Sequence, residues 1–202
     1  MNQAILFLKK DNVMKSIIEE VGEVKLTKNP NYFESLVEQM IYQQITGKAA
    51  ATIFQRFKAL FPDELIIPEE LLKLTELELL SAGISRQKRG YLYSLSEKFI
   101  DGTIKPEKFE QMTDEDIIAD LIKAKGIGPW TAQMFLMFTL AREDVFAPDD
   151  LGLRKAIQLH YKMEELPKPK ELEEFAKRWK PYRSYASHYL WRSLKKEKKS
   201  KK

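Results

Sequence analysis

Residues 121–154, LIKAKGIGPWTAQMFLMFTLAREDVFAPDDLGLR, constrain the fold of this chain more than any other stretch of it. Apolar residues recur at helical spacing up to Ile122, and this pattern stops at residues 126–129, GIGP. Glycine adopts backbone angles that other residues avoid, and proline suits the first turn of a helix. A second apolar helix is therefore predicted from Trp130 to about Leu140, which makes a helix, a tight hairpin and another helix.

The predicted hairpin has the properties of a phosphate-binding element. Two glycines before a helix N-terminus leave backbone N–H groups uncovered, and helix N-termini attract anions. An ordinary turn between two helices is the alternative, because Gly-x-Gly-Pro is a common pattern. Two carboxylates, Asp149 and Asp150, stand after the second helix at the start of the next one. A carboxylate beside a phosphate-binding hairpin favours chemistry on a nucleotide.

Residues 125–132, KGIGPWTA, followed by residues 145–152, VFAPDDLG, resemble the helix-hairpin-helix and catalytic-aspartate signature of the DNA base-excision glycosylases. The resemblance is strongest to the 3-methyladenine DNA glycosylase II (AlkA-like) family, in a short form without the extra N-terminal domain. Residues 178–191 are similar to the closing segment of the same branch. The resemblance implies an all-α fold of two helical lobes with a cleft between them.

The same resemblance divides the chain into two parts. Residues 34–142 would form a central helical bundle that contains the hairpin. Residues 1–33 and 143–202 would form a second helical lobe that carries the catalytic aspartate. This lobe ends in a basic tail, residues 192–202, with seven Lys or Arg and one Glu, so the rest of the chain has a net charge of −2 although the whole chain has +4. Bulk charge therefore does not argue for nucleic-acid binding, and we expect a disordered tail that adds solubility or weak phosphate affinity.

A second informative stretch lies nearer the N-terminus. A buried helical face is predicted by apolar residues at helical spacing, namely Phe33, Leu36, Val37, Met40 and Ile41. A polar break at residues 43–48, QQITGK, then separates this helix from the next one. Glutamines such as Gln43 and Gln44 can bond base edges or sugars, and an exposed aliphatic side chain such as Ile45 can enter a gap in a base stack.

A plain helix connector is the simpler interpretation of this polar break. The resemblance favours the other one, because a similar Gln-Gln-Ile-Ser-like element fills the space left by the extruded nucleotide in these glycosylases. Here Thr46 stands where serine is usual. The resemblance thus implies DNA contacts by the following residues: Gln44, Ile45, Thr46, Gly126, Gly128 and Thr131.

Catalysis is assigned to Asp150 by the resemblance, because the order Asp-Leu-Gly-Leu-Arg from this residue onward matches the family pattern. Cleavage of the bond between base and sugar develops positive charge on the sugar. A carboxylate would stabilise that charge and orient or deprotonate the attacking water. Asp149 is the rival candidate and would otherwise be a helix cap or a neighbour. Two N-caps without a catalytic role are the structural alternative.

Trp130 predicts the subtype of the reaction. In related bifunctional glycosylases a lysine at this position attacks the sugar and allows strand cleavage through a Schiff base. An indole cannot do so, which predicts a monofunctional enzyme. By resemblance, Trp130 and Trp191 line the base pocket, and Met134 stands where some members have tyrosine. Met134 is equally compatible with a place in the core.

The sequence therefore predicts a monofunctional DNA glycosylase that flips out and hydrolytically removes alkylated bases, 3-methyladenine first and then 7-methylguanine. The alternatives are a glycosylase for deaminated or oxidised bases and a non-catalytic DNA-binding protein. The expected partner is double-stranded DNA with damaged bases, bound by a cytoplasmic monomer that does not contact a membrane. We expect no metal site and no cofactor, apart from a structural monovalent cation that hairpin carbonyls would hold. Three cations, Arg86, Lys88 and Arg89, would face phosphates or form a solvated face.

Overall fold

The computed structural model describes residues 3–45 and 47–200, with side chains as far as residue 194. This part of the chain contains α-helices, short 3₁₀ turns and no β-strand, which confirms the all-α prediction. The helices are α1 (Gln3–Leu8), α2 (Asn12–Val21), α3 (Tyr32–Tyr42), α4 (Gly47–Lys58), α5 (Pro68–Lys73), α6 (Glu76–Ser81), α7 (Arg86–Ile100), α8 (Asp114–Leu121), α9 (Pro129–Phe138), α10 (Leu151–His160), α11 (Pro169–Ala176) and α12 (Arg183–Ser200).

Side-chain caps explain where several helices begin. Ser85 accepts a hydrogen bond from Lys88 N at the start of α7, and Thr113 accepts one from Asp116 N at the start of α8. Serine and threonine are favoured at this position, because the side-chain oxygen accepts a hydrogen bond from a backbone N–H of the first turn. Asp11 caps α2 in the same way. Short α1 was not expected, because six residues are too few to display a helical period.

The chain divides into two compact units, residues 1–28 with 136–202 and residues 29–135. We call these the terminal unit and the central unit. Their limits lie a few residues before the predicted ones, 33/34 and 142/143. The second limit falls inside α9, where Phe138 packs against Trp191 and His188 of α12. The last turn of α9 therefore belongs to the terminal unit.

In the central unit, α7 packs against α3, α5 and α6, and α3 also packs against α4. The predicted apolar face of α3 is buried along its whole length, as the helical spacing indicated: Phe33, Leu36, Val37, Met40 and Ile41. This unit contains α8, the hairpin and the first turns of α9. The sequence prediction of a helix, a hairpin and a helix is confirmed.

In the terminal unit, α12 packs against α1, α2 and α10. Helix α12 extends to Ser200, so most of the basic tail continues a helix and the expectation of disorder was wrong. Helix propagation adds one hydrogen bond per residue, and lysine and glutamate are good helix formers, so a helix that is already nucleated extends into such a sequence. None of the described helices is long and apolar enough to cross a membrane.

Candidate active site and DNA-contacting elements

The segment that leads to Asp150 is fastened to the start of α12. The Arg183 guanidinium donates to the Asp144 carboxylate at 2.7 Å from Nε and 3.0 Å from Nη2. Val145 N donates to the buried Ser184 Oγ at 2.9 Å, and Ser184 N donates to the Glu143 carbonyl at 2.9 Å. A bidentate pair of this kind fixes orientation as well as distance. The loop before Asp150 is thus aligned with α12.

Asp150 is the N-cap of α10, and its Oδ1 accepts hydrogen bonds from two donors. One is Leu153 N of the same helix, at 2.8 Å, and the other is Trp191 Nε1 of α12, also at 2.8 Å. The first bond is what any capping aspartate makes. The second comes from a residue 41 positions away and serves no capping purpose. Asp150 is therefore both a cap and a carboxylate oriented by a distant donor.

Asp149 lies in the turn before α10 and is exposed. The alternative in which both aspartates are N-caps is wrong, because Asp150 occupies the cap position. A helix has one N-cap residue, so its predecessor is outside the helix. Of the two roles considered for Asp149, cap or neighbour, the structure assigns the neighbour.

Trp191 is held by aromatic neighbours that the sequence did not single out. Its ring stacks on Phe138 at 5.5 Å between centroids and meets the edge of His188 at 5.9 Å. Burial and, to a lesser degree, the Arg192 charge lower the pKa of His188 to about 4, so its imidazole is neutral at pH 7. Phe138 lies four residues after Met134 and therefore on the same face of the helix, and this spacing was the sequence signal that could have identified Phe138.

Gly152 leaves room for the bond between Asp150 and Trp191. A Cβ at this position would lie 2.9 Å from Asp150 Oδ1 and 3.1 Å from Trp191 Nε1. Such distances are shorter than ordinary van der Waals contacts, so a larger residue would displace one of the two partners. The glycine in the Asp-Leu-Gly pattern thus has a steric reason in this chain.

We predict that Trp191→Phe distinguishes between two roles of the Trp191 indole, orientation of the Asp150 carboxylate and contact with the base. Phenylalanine keeps an aromatic ring for the stack on Phe138 but lacks the N–H that Asp150 accepts. The single-turnover rate of base release at saturating enzyme should fall about tenfold, the value of one lost hydrogen bond to a charged group. The enzyme concentration that gives half of this rate should change less than about twofold. A large rise in that concentration would instead indicate that the indole binds the base.

The hairpin of the central unit depends on Gly126. Its φ is +86°, and a Cβ there would lie 2.3 Å from Cδ2 of Tyr91 on α7. The adjacent Lys125 N donates to Ser94 Oγ of the same helix at 3.1 Å. Gly128 differs, since nothing lies within 4 Å of a Cβ built on it. Packing explains Gly126, whereas Gly128 leaves open space at the start of α9 that suits a close ligand.

The three predicted residues on α9 have different environments. Trp130 is 41% exposed and offers an indole surface near the helix N-terminus. Met134 is 7% exposed, which is compatible with the core alternative, and its place in a base pocket stays a prediction. Thr131 is 5% exposed, and its hydroxyl accepts a hydrogen bond from Gln43 Nε2. The Thr131 hydroxyl therefore bonds within the protein, and a DNA contact by this residue stays a prediction.

Gln43–Ile45, which we call the probe loop, follows α3. Gln44 is exposed and has a φ of +61°, a left-handed conformation uncommon outside glycine, and Ile45 is 38% exposed. Thr46 lies outside the described residues. The Gln43 amide is turned toward the hairpin instead, since it donates to Gly126 O at 3.1 Å and to Thr131 Oγ1 at 3.2 Å. A monovalent cation held by hairpin carbonyls stays a prediction.

Two of the three cationic side chains at the start of α7 donate hydrogen bonds to acceptors of the central unit. Lys88 Nζ donates to the carbonyls of Ile41 and Gln43, at 2.6 and 2.7 Å. Arg89 is buried and donates to Glu76. Neither phosphate binding nor a solvated face describes Lys88 and Arg89, since both side chains satisfy acceptors of the protein. The described residues include no cluster of His, Asp and Glu that could hold a metal ion.

The site residues thus form two groups, each within one unit. Asp150 and Trp191 are hydrogen-bonded in the terminal unit. The probe loop and the hairpin are joined by Gln43 in the central unit, which also contains Trp130. A hairpin before an apolar helix, followed by an aspartate at the next helix start, is the arrangement that the sequence predicted.

Comparison with known proteins identifies the family. Residues 37–181 match the HhH-GPD superfamily base excision DNA repair protein family. This chain belongs to the HhH-GPD superfamily. The match includes the probe loop, the hairpin and Asp150, and it ends just before α12.

Among HhH-GPD relatives, the putative DNA-3-methyladenine glycosylase YfjP of Bacillus subtilis is 34% identical over 187 residues, 90% of this chain. The chain spans only 65% of that relative, less than two thirds of its length. DNA-3-methyladenine glycosylase 1 of Schizosaccharomyces pombe is 30% identical over 92% of this chain and 83% of its own. The structure of S. pombe 3-methyladenine DNA glycosylase (Mag1) in complex with abasic DNA matches with a TM-score of 0.88, covering 96% of this chain and 97% of that one.

Proposed function

We propose that this chain is a monofunctional DNA glycosylase that hydrolyses the N-glycosidic bond of alkylated bases in double-stranded DNA, 3-methyladenine first and 7-methylguanine next. The observation that carries this proposal is the Asp150 carboxylate, oriented by Leu153 N and Trp191 Nε1. Its support is membership of the HhH-GPD superfamily and similarity to proteins named 3-methyladenine glycosylases.

The reaction needs a carboxylate because bond cleavage leaves positive charge on the sugar. Asp150 would stabilise that charge and direct water to the anomeric carbon. Two donors on one oxygen preorganise the group, so little reorganisation is needed when the charge develops. The reaction is a hydrolysis with no redox step, and we propose that it proceeds without a metal or an organic cofactor.

Access to the bond requires the nucleotide to leave the duplex. We propose that the exposed Ile45 fills the vacated space, with Gln44 beside it, and that the N-terminus of α9 at Gly128 binds a backbone phosphate. The exposed indole of Trp130 would stack on the flipped base. An alkylated purine is cationic, and its attraction to an indole face is about 0.5 to 2 kcal/mol. The weakened glycosidic bond of such a base contributes more to selection, since a good leaving group needs less help.

Release of free base tests the proposal. Purified protein is incubated with methylated duplex DNA and, in parallel reactions, with duplexes that contain uracil, hypoxanthine or 8-oxoguanine. The bases released in each reaction are separated by chromatography. We expect 3-methyladenine to be released fastest. Release of base only from a duplex with a deaminated or oxidised base would show that such bases, and not alkylated ones, are the substrates. Binding without any release would reduce the protein to a DNA-binding module.

The monofunctional subtype has its own test. Trp130 has no amine, so no Schiff base should form with the sugar. Sodium borohydride added during turnover should therefore trap no covalent complex of protein and DNA, and abasic sites should accumulate unbroken. A trapped adduct would show that an amine elsewhere in the chain acts as nucleophile and would contradict the monofunctional assignment.

A further inference from the structure

The probe loop is held from one side by Lys88 of α7. Its Nζ lies 2.6 Å from the Ile41 carbonyl and 2.7 Å from the Gln43 carbonyl, at the C-terminal end of α3. Helices leave their last carbonyls without intrahelical donors, and the helix dipole favours a cation there. Burial lowers the pKa of the Lys88 ammonium, which fits a side chain turned into the protein. Lys88 therefore fixes the point where the loop leaves the helix.

The loop is held from another side by the side chain of Gln43. Its Nε2 donates to Gly126 O at 3.1 Å and to Thr131 Oγ1 at 3.2 Å. Gly126 is the first residue of the hairpin and Thr131 lies in the first turn of α9, so one amide group bonds to the hairpin and to the helix that follows it. Thr131 is buried, so the acceptor end of its bond lies inside the protein. The probe loop and the hairpin are thus directly connected.

The loop needs such support because of its own conformation. Gln44 has a φ of +61°, which costs a residue with a Cβ roughly 1 kcal/mol. Ile45, the next residue, is 38% exposed. A strained turn that presents an aliphatic side chain to solvent persists only where its surroundings hold it. The Gln43 side chain and Lys88 provide this support on the N-terminal side of the turn.

We propose that Gln43 is a positioning residue that fixes the probe loop relative to the hairpin, so that entry of Ile45 into the base stack and phosphate binding at the hairpin take place in one register. This inference rests on the proposed function, in which both elements contact DNA. Gln43 would act through the protein, because its amide nitrogen donates to the hairpin and to α9. Two DNA contacts held in a fixed relative position increase the affinity more than two contacts that move independently, because the second contact then needs little further ordering. The connection should matter for lesion recognition and much less for binding to intact duplex.

Two binding measurements test this role. Dissociation constants are determined for a duplex with a tetrahydrofuran abasic-site analogue and for the same duplex undamaged, at one salt concentration. Gln43→Ala should weaken binding to the abasic duplex about tenfold and to the intact duplex less than about twofold. Gln43→Glu should behave in the same way, because a carboxylate has the same size but no proton to donate. Gln55→Ala, an exposed glutamine on α4 of the same unit, should change neither constant.

Hydrogen exchange in the free protein tests the connection without DNA. Gln43→Ala should raise exchange about tenfold in peptides that contain Ile45 and in those that contain Gly126, and nowhere else. This readout separates two failures. If wild type does not prefer the abasic duplex, the proposed function fails, and Gln43 then has no lesion contact to position. If wild type has that preference and Gln43→Glu keeps it with unchanged exchange, the positioning role alone is overturned. Equal losses on both duplexes with a lower Tm would assign Gln43 to general stability and would also overturn it.

Discussion

Asp150→Asn is expected to lower the single-turnover rate of base release by a factor of about 10² to 10³, the usual cost of one electrostatic contact to the transition state. Asparagine has the size of aspartate but no charge to stabilise the sugar cation. It is also a good N-cap, so Leu153 N keeps an acceptor and α10 keeps its start. The free energy of unfolding should therefore change by less than about 1 kcal/mol. Loss of rate without loss of stability is the result that identifies a catalytic carboxylate.

Asp149→Asn is the matched control for this measurement. Asp149 is the adjacent carboxylate, is exposed, and stands before the cap position. Its replacement removes the same charge one residue away and should change the rate less than about threefold, because an exposed charge is screened by solvent. Inactivation by Asp149→Asn with an active Asp150→Asn would reverse the assignment. Equal partial losses would indicate that only the net charge near the site matters.

Gly126→Ala is expected to have the largest effect on stability, about 3 kcal/mol. The new methyl group would lie 2.3 Å from Cδ2 of Tyr91, and the φ of +86° would be strained for alanine. Overpacking costs about 1 to 3 kcal/mol, and an incompatible backbone conformation adds about 1 kcal/mol. Equilibrium urea unfolding followed by circular dichroism measures the loss. DNA binding should weaken with it, since the hairpin cannot keep its shape.

Gly128→Ala is the control that separates packing from ligand binding. Nothing lies within 4 Å of its Cβ position, so the free energy of unfolding should change by less than about 0.5 kcal/mol. DNA affinity should nevertheless fall several-fold if a phosphate approaches the backbone at this point. Unchanged affinity would remove Gly128 from the DNA-contacting residues. Unchanged stability of Gly126→Ala would mean that Tyr91 moves aside without cost, contrary to the packing explanation.

Short-range patterns predicted most of the fold. The apolar spacing in α3 identified its buried face, and residues 126–129 identified the hairpin between α8 and α9. Ser85 and Thr113 were identifiable as caps because a cap bonds to its own helix within three residues. The same patterns missed α1 and the helical continuation of α12, since neither has the apolar period on which such predictions depend.

The sequence did not predict which side chains form hydrogen bonds with residues far away in the chain. Lys88 and Arg89 were expected at phosphates or in solvent, yet both bond to protein acceptors. Gln43 was considered able to bond base edges or sugars, yet its amide bonds to the hairpin. Each partner lies at least 13 residues away in the sequence. A local pattern shows which residue is polar but not which distant carbonyl is brought within its reach.

The sequence by itself determined most of the helices, the hairpin, and a pair of adjacent carboxylates at one helix start, because these follow from backbone preferences and apolar spacing over a few residues. Only the tertiary structure showed which of the two carboxylates accepts a hydrogen bond from a donor far away in the chain. Packing of α10 against α12 places Trp191 Nε1 2.8 Å from Asp150, and Gly152 leaves the space for that bond. Such a contact depends on how two helices far apart in the chain pack, which no short stretch of sequence specifies.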